Sequence, residues 1–328
     1  MAKIIAMGSA LVDILTLLED DIVLHELSLP KGSMQLVDAS RSNHIQNYIK
    51  NIPHTLTCGG SAANTIRCLA KLGIQTGYLG KIGNDRIGDF FANNMAETGV
   101  ISKLIKTDTP TGNATALISK DSERTFATYL GAASELSPDD ITPSLFEDFD
   151  ILHIEGYLVF NHDLIEKAIQ MAKENGLKVS IDMASYNIVE ENLDFLKYLT
   201  EKYVDILFAN EEEAKAFTGK EPEEALEAIS HVCDIAVVKV GKEGSFVKKG
   251  NYIHQEGTLN INPIDSTGAG DYYAAGFLYG LVHNWPLDKC AKAGTIMAGN
   301  VMEFIGPALS EERWKIVHPQ IRKIKDNL

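Results

Sequence analysis

The chain has 328 residues, of which 45% are hydrophobic and 23% are charged, and its formal net charge is -15. This length accommodates one large α/β domain or two smaller ones, and the ordinary globular composition excludes wholesale disorder. The negative charge argues against a nucleic-acid partner, which would require a surplus of lysine and arginine, but it does not argue against ATP, because an anion site needs only a few backbone amides and a metal ion.

The first predicted element is a short apolar run, Ile4–Met7, which is typical of a buried central strand. It does not match a signal peptide, because Asp13 interrupts the apolar stretch and no suitable cleavage site follows. No apolar run reaches the length of a membrane span. The four cysteines lack the spacing of metal ligands, which favours a reducing compartment. These features predict a cytoplasmic protein.

Two separated stretches, about residues 14–38 and about 103–130, have short apolar patterns punctuated by turn residues. In the second stretch, Ala114–Ile118 and Thr125–Tyr129 flank a polar turn at residues 120–123, which predicts a β-hairpin. We expect both stretches to form one small β-sheet that acts as a lid on a single domain spanning residues 1–328.

The remaining chain alternates strand-like and helix-like segments. The predicted strands are Thr76–Leu79, Ile151–Ile154, Val179–Asp182, Ile206–Phe208 and Ile235–Val238. The predicted helices are Ser61–Leu72, Ile87–Glu97, Asp163–Glu174, Glu190–Thr200, Glu211–Phe217, Glu223–Ser230, Asp271–Val282 and Leu287–Phe304. Repeated strand–helix units indicate a largely parallel sheet covered by helices on both faces.

One glycine-rich segment, Asp265-Ser266-Thr267-Gly268-Ala269-Gly270-Asp271, opens a strongly helical stretch. Its small residues let backbone N–H groups approach a phosphate closely, and the helix N-terminus adds partial positive charge. Asp271 would then accept the proton of a substrate hydroxyl that attacks a γ-phosphate. From this segment alone, an ordinary glycine-rich turn with Asp271 as helix N-cap is an equal alternative. The segment is neither a Walker A loop nor a dinucleotide fingerprint.

Two segments nearer the start of the chain are candidates for binding the acceptor. In Gly59–Asn64, the paired glycines permit close approach of a ligand, and Asn64 lies where its side chain would bond a hydroxyl. Asp13 follows the first strand, and a carboxylate among apolar residues there suggests binding to paired hydroxyls. A tight helix entry and a turn-forming aspartate are the respective alternatives.

A fourth segment, Asn210-Glu211-Glu212-Glu213, follows the apolar strand Ile206–Phe208. Acids at the carboxyl end of a parallel strand lie over the active-site crevice. Because Mg²⁺ prefers oxygen ligands and keeps several waters, Asn210 and Glu213 would hold it through its hydration shell. The favourable interaction of acids with a helix dipole explains Glu211 and Glu212 equally well.

These segments give nearly the whole chain a resemblance to the ribokinase-like (PfkB) carbohydrate kinases. Gly59–Asn64 through Gly73 looks like the N-terminal signature of that family, and Asp265–Asp271 looks like its C-terminal signature. Asn210–Glu213 matches its Asn-x-x-Glu magnesium motif. The resemblance implies a ribokinase-like three-layer α/β/α fold, with a mainly parallel central sheet and a small β lid, and ATP-dependent phosphorylation of a hydroxyl.

The resemblance also implies roles for individual residues. Asp271 would be the general base, the anion-hole amides would come from Gly268, Ala269 and Gly270, and the acceptor hydroxyls would be bound by Asp13, Gly60 and Asn64. Bound ATP would contact residues Thr267, Asn210, Gly241 and Gly244.

The nucleotide side departs from the family pattern at one position. Val240–Gly244 resembles the Thr-x-Gly-x-x-Gly loop of the family, but Lys239 stands where threonine is usual. Many members also bind a monovalent cation beside the anion hole, and here Asp265 with the nearby backbone would hold such an ion, K⁺.

Within the family, the likeness is to adenosine kinases and adenosine-kinase-like proteins. It is carried by Gly60–Thr65, Glu123–Thr125, Tyr129–Ala133 and Gly156-Tyr157. The expected reaction is therefore adenosine to AMP, with Tyr157 against the base. The alternative acceptor is fructose, ribose or a related sugar, although ribokinases usually have Gly-Gly-Lys-Gly-Ala-Asn in place of the sequence around Ser61.

Two further alternatives have less support from the residues. A non-catalytic ligand sensor on the kinase fold would have no need of a base such as Asp271. A hydroxymethylpyrimidine-type vitamin kinase fits Asp13 and the lid-like segments less well. The expected partners are thus ATP and a nucleoside or sugar, with no nucleic acid or membrane, and the expected state is a monomer or a lid-mediated homodimer.

Overall fold

A computed structural model describes residues 2–121 and 123–326 and contains two β-sheets. The strands are β1 (Ile4–Met7), β2 (Leu11–Leu17), β3 (Met34–Leu36), β4 (His54–Gly59), β5 (Thr76–Gly83), β6 (Ile101–Thr107), β7 (Thr111–Ile118), β8 (Arg124–Gly131), β9 (Ile151–Glu155), β10 (Lys178–Asp182), β11 (Ile206–Asn210), β12 (Ile235–Lys239), β13 (Ser245–Lys249) and β14 (Tyr252–Glu256). The helices are α1 (Ile22–Glu26), α2 (Ala39–Ile49), α3 (Ser61–Lys71), α4 (Arg86–Glu97), α5 (His162–Glu174), α6 (Tyr186–Glu191), α7 (Leu193–Tyr203), α8 (Glu211–Thr218), α9 (Pro222–Ser230), α10 (Ala269–Val282), α11 (Leu287–Val301) and α12 (Glu311–Asp326).

The larger sheet has nine strands in the order β14-β13-β12-β11-β10-β9-β1-β5-β6. The seven strands from β12 to β6 in this order each pair in parallel with their neighbours within this set. At the other edge, β13 pairs antiparallel with β12, and β14 pairs antiparallel with β13. Parallel strands are buried on both faces, which explains why the predicted strands read as continuous apolar runs.

Helices cover both faces of this sheet. On β1, Ile4 and Ala6 point into one apolar core with α3, α4, α10, α11 and α12, whereas Ile5 and Met7 point into a second core with α5 to α9. Successive strand side chains alternate between faces, so one strand supplies both cores. The predicted three-layer α/β/α fold with a mainly parallel sheet is confirmed.

The second sheet has five strands in the order β3-β8-β7-β2-β4, and we call it the small sheet. Its outer face packs on α2, where Ile45 and Ile49 form a separate apolar cluster with Ile14, Leu117 and Ala127. Side chains of its other face and residues at the carboxyl edge of the large sheet line one cleft. The predicted hairpin is present as antiparallel β7 and β8, and Ser122 of its predicted turn lies outside the described residues.

The bounds predicted for the lid need two corrections. Residues 103–107 belong to β6, which pairs with β5 in the large sheet, so the second segment of the small sheet begins at Thr111. Strand β4, which pairs with β2, was absent from the predicted segments. Its residues His54–Gly59 include only Leu56 and Cys58 as apolar side chains, and the first two residues of this edge strand are exposed, so the segment does not form the apolar run of a buried strand.

Smaller differences concern helix ends. The predicted helix Glu190–Thr200 is two helices, α6 and α7, with a break at Asn192. The predicted helix Leu287–Phe304 ends earlier, at Val301. Among the residues that the model describes, no helix has the length and hydropathy required to cross a membrane.

Candidate active site

A cleft of about 1870 Å³ lies between the small sheet and the carboxyl edge of the large sheet. Polar residues end four neighbouring parallel strands at this edge: Glu155 on β9, Asp182 on β10, Asn210 on β11 and Lys239 on β12. All four line the cleft, which is where ligands bind in open α/β sheets.

Asp271 lies in the first turn of α10 and is held by α3. Its Oδ1 accepts a hydrogen bond from Ser61 Oγ at 2.6 Å, and its Oδ2 accepts one from Asn64 Nδ2 at 2.9 Å. Thr65 Oγ1 donates to the backbone oxygen of Asp271 at 3.1 Å. These bonds fix the carboxylate between the two segments that the sequence singled out.

The surroundings of Asp271 favour its protonated form. Burial is the main cause and raises the pKa of Asp271 to about 7, assisted by repulsion from Asp182. The bonds from Ser61 and Asn64 and the charge of Lys239 act in the opposite direction. A carboxyl group with a pKa near neutrality is suited to general base catalysis.

Asp13 and Gly60 lie in the same cleft as Asp271. Burial raises the pKa of Asp13 to about 7, although Arg124 opposes this shift. Gly60 adopts φ 89°, and a Cβ there would overlap the carbonyl oxygen of Ser9. Only glycine fits this helix entry without strain. At the preceding Gly59, a Cβ would overlap the Asp13 carboxylate, so both glycines are needed for the backbone to pass here.

Asn64 has one side-chain atom that its neighbours do not satisfy. Its Nδ2 donates to Asp271, but its Oδ1 is buried and has no hydrogen-bond partner among the described residues. Buried polar atoms without a partner are rare in native proteins, so this oxygen is a candidate acceptor for a ligand hydroxyl.

The glycine-rich segment forms the N-terminus of α10. Gly268 is the residue before the helix and adopts φ 77°, and a Cβ on it would lie 2.8 Å from Pro307 Cβ. The Ala269 N–H donates to Ser266 O at 3.1 Å, and Gly270 lines the cleft in the first turn. The first amides of a helix lack intrahelical acceptors, so this turn can bind an anion.

Asp265 and Thr267 are tied to the small sheet. Arg124, at the start of β8, pairs with Asp265 and donates to Thr267 Oγ1 at 3.0 Å. The other Asp265 oxygen accepts from Thr267, and Gly306 N–H also donates to Asp265. Because both carboxylate oxygens are engaged, the predicted K⁺ ion would have to compete with the Arg124 guanidinium here.

Asn210 and Glu213 bind one another at the start of α8. Glu213 Oε2 accepts from Asn210 N–H and its Oε1 from Asn210 Nδ2, both at 2.7 Å, while Asn210 Oδ1 accepts from Glu213 N–H at 2.8 Å. Burial raises the pKa of Glu213. The described residues contain no cluster of three or more histidine, cysteine or acidic groups able to coordinate a metal. Because both Glu213 carboxylate oxygens and Asn210 Oδ1 are engaged in the bonds between them, the pair fits a contact to Mg²⁺ through water.

Lys239 ends β12 beside Asn210. Its Nζ donates to Asp182 Oδ2 at 2.8 Å, and a Cβ on Gly270 would lie 3.1 Å from this nitrogen. The ammonium group thus lies beside the first turn of α10.

Gly241 and Gly244, which the resemblance assigns to a nucleotide loop, line the cleft in the turn after β12. Apolar residues from the loop after β14 and from α11 also line the cleft: Leu259, Ile261, Ala298 and Met302. The motifs did not indicate these apolar residues.

Apolar side chains from the small sheet and from the segment after β9 also line the cleft. Tyr157 is among them and is 42% exposed, so it is available to a ligand. The others are Met34, Leu36, Phe126, Leu130, Leu136 and Phe160. They belong to the same cleft as Asp13 and Asn64.

Comparison with known proteins agrees with this geometry. Residues 34–313 match the pfkB family carbohydrate kinases. The chain belongs to this family. It is therefore a sugar or nucleoside kinase, a phosphotransferase that acts on an alcohol group, and the family implies use of ATP, generally with Mg²⁺.

Individual PfkB relatives differ in their acceptors. The chain is 30% identical to an adenosine kinase of Saccharomyces cerevisiae in an alignment of 339 positions, gaps included, which covers 95% of this chain and 98% of the relative. It is 28% identical to a 5-dehydro-2-deoxygluconokinase of Geobacillus kaustophilus over 265 residues, with coverage of 74% and 78%. The crystal structure of an adenosine kinase from Sinorhizobium meliloti matches with a TM-score of 0.85 and 32% identity, covering 97% of this chain and 99% of that one.

The PfkB motifs did not reveal several residues of the cleft. Asp182 and Glu155 line it, and Glu155 accepts hydrogen bonds from Ser9 N–H at 2.7 Å and Ala62 N–H at 3.0 Å. Both acids end strands that the sequence predicted, so a search for polar residues at strand carboxyl ends would have found them. No comparable pattern in the sequence predicts the contact of Arg124 with Asp265.

Proposed function

We propose that this kinase transfers the γ-phosphoryl group of ATP to the primary hydroxyl of adenosine and so forms AMP. The observation that carries the proposal is the set of apolar side chains that line the same cleft as Asp13 and Asn64, with Phe126, Tyr157 and Phe160 among its members. A nucleobase gains from aromatic and apolar contacts, whereas a free sugar presents mainly hydroxyls. The full-length likeness to two adenosine kinases supports the same acceptor.

The sugar of the acceptor would be oriented by hydrogen bonds. We assign the binding of the paired ribose hydroxyls to Asp13 and that of a further hydroxyl to Asn64 Oδ1. Gly60, which has no side chain, would let the ribose lie close to the backbone. This places the primary hydroxyl towards Asp271, to which Asn64 is directly bonded. Tyr157 would lie against the base.

Transfer would be direct and in line. The acceptor hydroxyl gives its proton to Asp271 while its oxygen bonds to the γ-phosphorus, and the bond from that phosphorus to the β–γ bridging oxygen breaks. We assign charge stabilisation on the transferring oxygens to the amides of Gly268 and Gly270 with the α10 dipole. The Ala269 amide would join them by exchanging its bond to Ser266 O for one to phosphate. Closure of the small sheet over the acceptor would exclude water and limit hydrolysis of ATP.

The nucleotide would lie across the C-terminal side of the cleft. We assign Gly241 and Gly244 to the nucleotide loop and Thr267 to the phosphates. Mg²⁺ that arrives with ATP supplies positive charge to the phosphate oxygens when it is bound. Asn210 and Glu213 would orient its water, and Asn210 would thereby also contact the nucleotide complex.

A sugar kinase is the second candidate. It is supported by the 5-dehydro-2-deoxygluconokinase relative and by Asp13, because a carboxylate suits the hydroxyls of fructose, ribose or a related sugar as well as those of a nucleoside. A free sugar as acceptor would leave the apolar side chains that line the cleft without a role, and adenosine is preferred for this reason.

A screen of acceptors tests this choice. With Mg·ATP and a coupled measurement of ADP release, adenosine is expected to give kcat/KM at least about 100-fold above ribose, fructose or 5-dehydro-2-deoxygluconate, because loss of the base contacts costs a few kcal/mol. Inosine and guanosine serve as matched nucleosides. Turnover of a free sugar with adenosine inert would overturn the adenosine assignment but not the kinase.

The pKa of Asp271 predicts the pH dependence of that turnover. A general base must be deprotonated, so kcat is expected to rise with pH through about 7 and to level off above it. Asp182 and Lys239 are the charged groups that shift this pKa, in opposite directions. Initial rates at saturating substrates between about pH 5.5 and 8.5 measure this rise of kcat with pH. A flat profile would contradict the base assignment.

We also propose a cytoplasmic monomer. Cys58, Cys68, Cys233 and Cys290 are all free thiols, which fits a reducing compartment. Helix α2 covers the outer face of the small sheet, and this favours a monomer over a lid-mediated homodimer.

A further inference from the structure

Lys239 is a lysine at the position where the family pattern has threonine, and its side chain is only 17% exposed. Its ammonium lies 2.8 Å from Asp182 Oδ2 and next to Gly270 in the first turn of α10. A threonine at this position would carry no charge and would reach less far. In this chain a cation therefore lies beside the first turn of α10, which the proposed function makes the binding site for phosphate.

The ion pair with Asp182 favours the charged form of Lys239. The Asp182 carboxylate lies 2.8 Å from the ammonium nitrogen, and a nearby opposite charge favours the charged form of a group. An ammonium group has three donors, and the hydrogen bond found for it within the described chain uses one, to Asp182. Donors are therefore left for a ligand.

Few other cationic side chains line the described part of the cleft. Lys239 and Lys242 are the only lysine or arginine residues among its described lining, against many carboxylates. Lys242 is exposed in the turn after β12, and Arg124 pairs with Asp265. A nucleoside triphosphate brings several negative charges into this acidic cleft, so a resident cation beside the anion-binding turn has a clear chemical use.

We propose that the Lys239 ammonium is a catalytic group that binds the γ-phosphoryl group of ATP and stabilises it during transfer. The ammonium donates hydrogen bonds to an oxygen of that group and keeps its own proton, while the acceptor proton goes to Asp271. Asp182 holds the side chain in place. This inference rests on the proposed position of the phosphates at Gly268–Gly270.

The competing explanation is that Lys239 only neutralises Asp182. Buried ion pairs are weak evidence for stabilisation, and removal of one partner leaves an uncompensated charge. A double variant separates the two explanations, because Lys239→Met with Asp182→Asn removes the lysine without leaving that carboxylate unpaired.

Calorimetric binding of ADP and of AMP-PNP, each with Mg²⁺, tests the contact without an acceptor. Lys239→Met is expected to weaken AMP-PNP binding by about 10- to 150-fold, because a charged hydrogen bond to the γ-phosphate is lost. ADP binding should change by less than about threefold. The matched control is Lys248→Met, a buried lysine on β13 that pairs with Glu227 outside the cleft, which should leave both affinities unchanged.

Turnover gives the second readout. Lys239→Met and the double variant are both expected to lower kcat by roughly 100- to 1,000-fold, and Lys239→Arg should recover part of the loss. Equal weakening of ADP and AMP-PNP, or recovery of turnover in the double variant, would overturn the inference. Wild-type enzyme that bound no nucleotide and consumed no ATP would instead refute the proposed function together with this inference.

Discussion

Replacement of Asp271 by asparagine is expected to lower kcat by roughly 100- to 10,000-fold while acceptor affinity stays within about threefold. An amide of the same shape can accept the bond from Asn64 through its oxygen and donate to Ser61 Oγ, so both neighbours keep a partner. It cannot take a proton from the attacking hydroxyl. The loss therefore falls on the chemical step and not on binding.

Initial rates give kcat, and calorimetry with adenosine gives the affinity. Asp205→Asn is the matched control, because Asp205 pairs with Lys173 and accepts from Val179 N–H just before β11, outside the cleft lining. It should leave kcat unchanged even where it lowers the melting temperature. Turnover of Asp271→Asn within tenfold of wild type would remove Asp271 from the role of base.

The sequence could predict the large sheet because its strands are buried on both faces. Ile206–Phe208 and Ile235–Val238 read as unbroken apolar runs, and both are strands. The edge strand β4 and the short helix α1 carry no such pattern, since only part of each is buried. Their positions follow from pairing with β2 and from packing against α2, which are tertiary effects.

The candidate site was predictable where its residues are close in sequence. The glycines and Asp271 lie within a few residues of each other, and the N-terminus of α10 brings them together. Contacts across the fold were not predictable in this way. Lys239 meets Asp182 across 57 positions and Arg124 meets Asp265 across 141, and no spacing rule encodes either pair.

Substitution of Asp13 is expected to have the second large effect, because this single carboxylate is proposed to bind both ribose hydroxyls. Asp13→Ala removes up to two charge-assisted hydrogen bonds, so KM for adenosine is expected to rise by roughly 100- to 10,000-fold with a smaller change in kcat. Asp38→Ala is the control. Asp38 caps α2 by accepting from Arg41 N–H and does not line the cleft, so its loss should affect stability alone.

Deoxynucleosides show whether the lost affinity belongs to the hydroxyls. Wild-type enzyme should prefer adenosine to 2′-deoxyadenosine and 3′-deoxyadenosine by about 10- to 150-fold in kcat/KM, because each analogue leaves one oxygen of a buried carboxylate unpaired. In Asp13→Ala the three substrates should become nearly equal, since no carboxylate remains to distinguish them. If the variant is weakened but still discriminates as the wild type does, Asp13 supports the cleft structurally and the hydroxyls are bound elsewhere, with Asn64 Oδ1 as the next candidate.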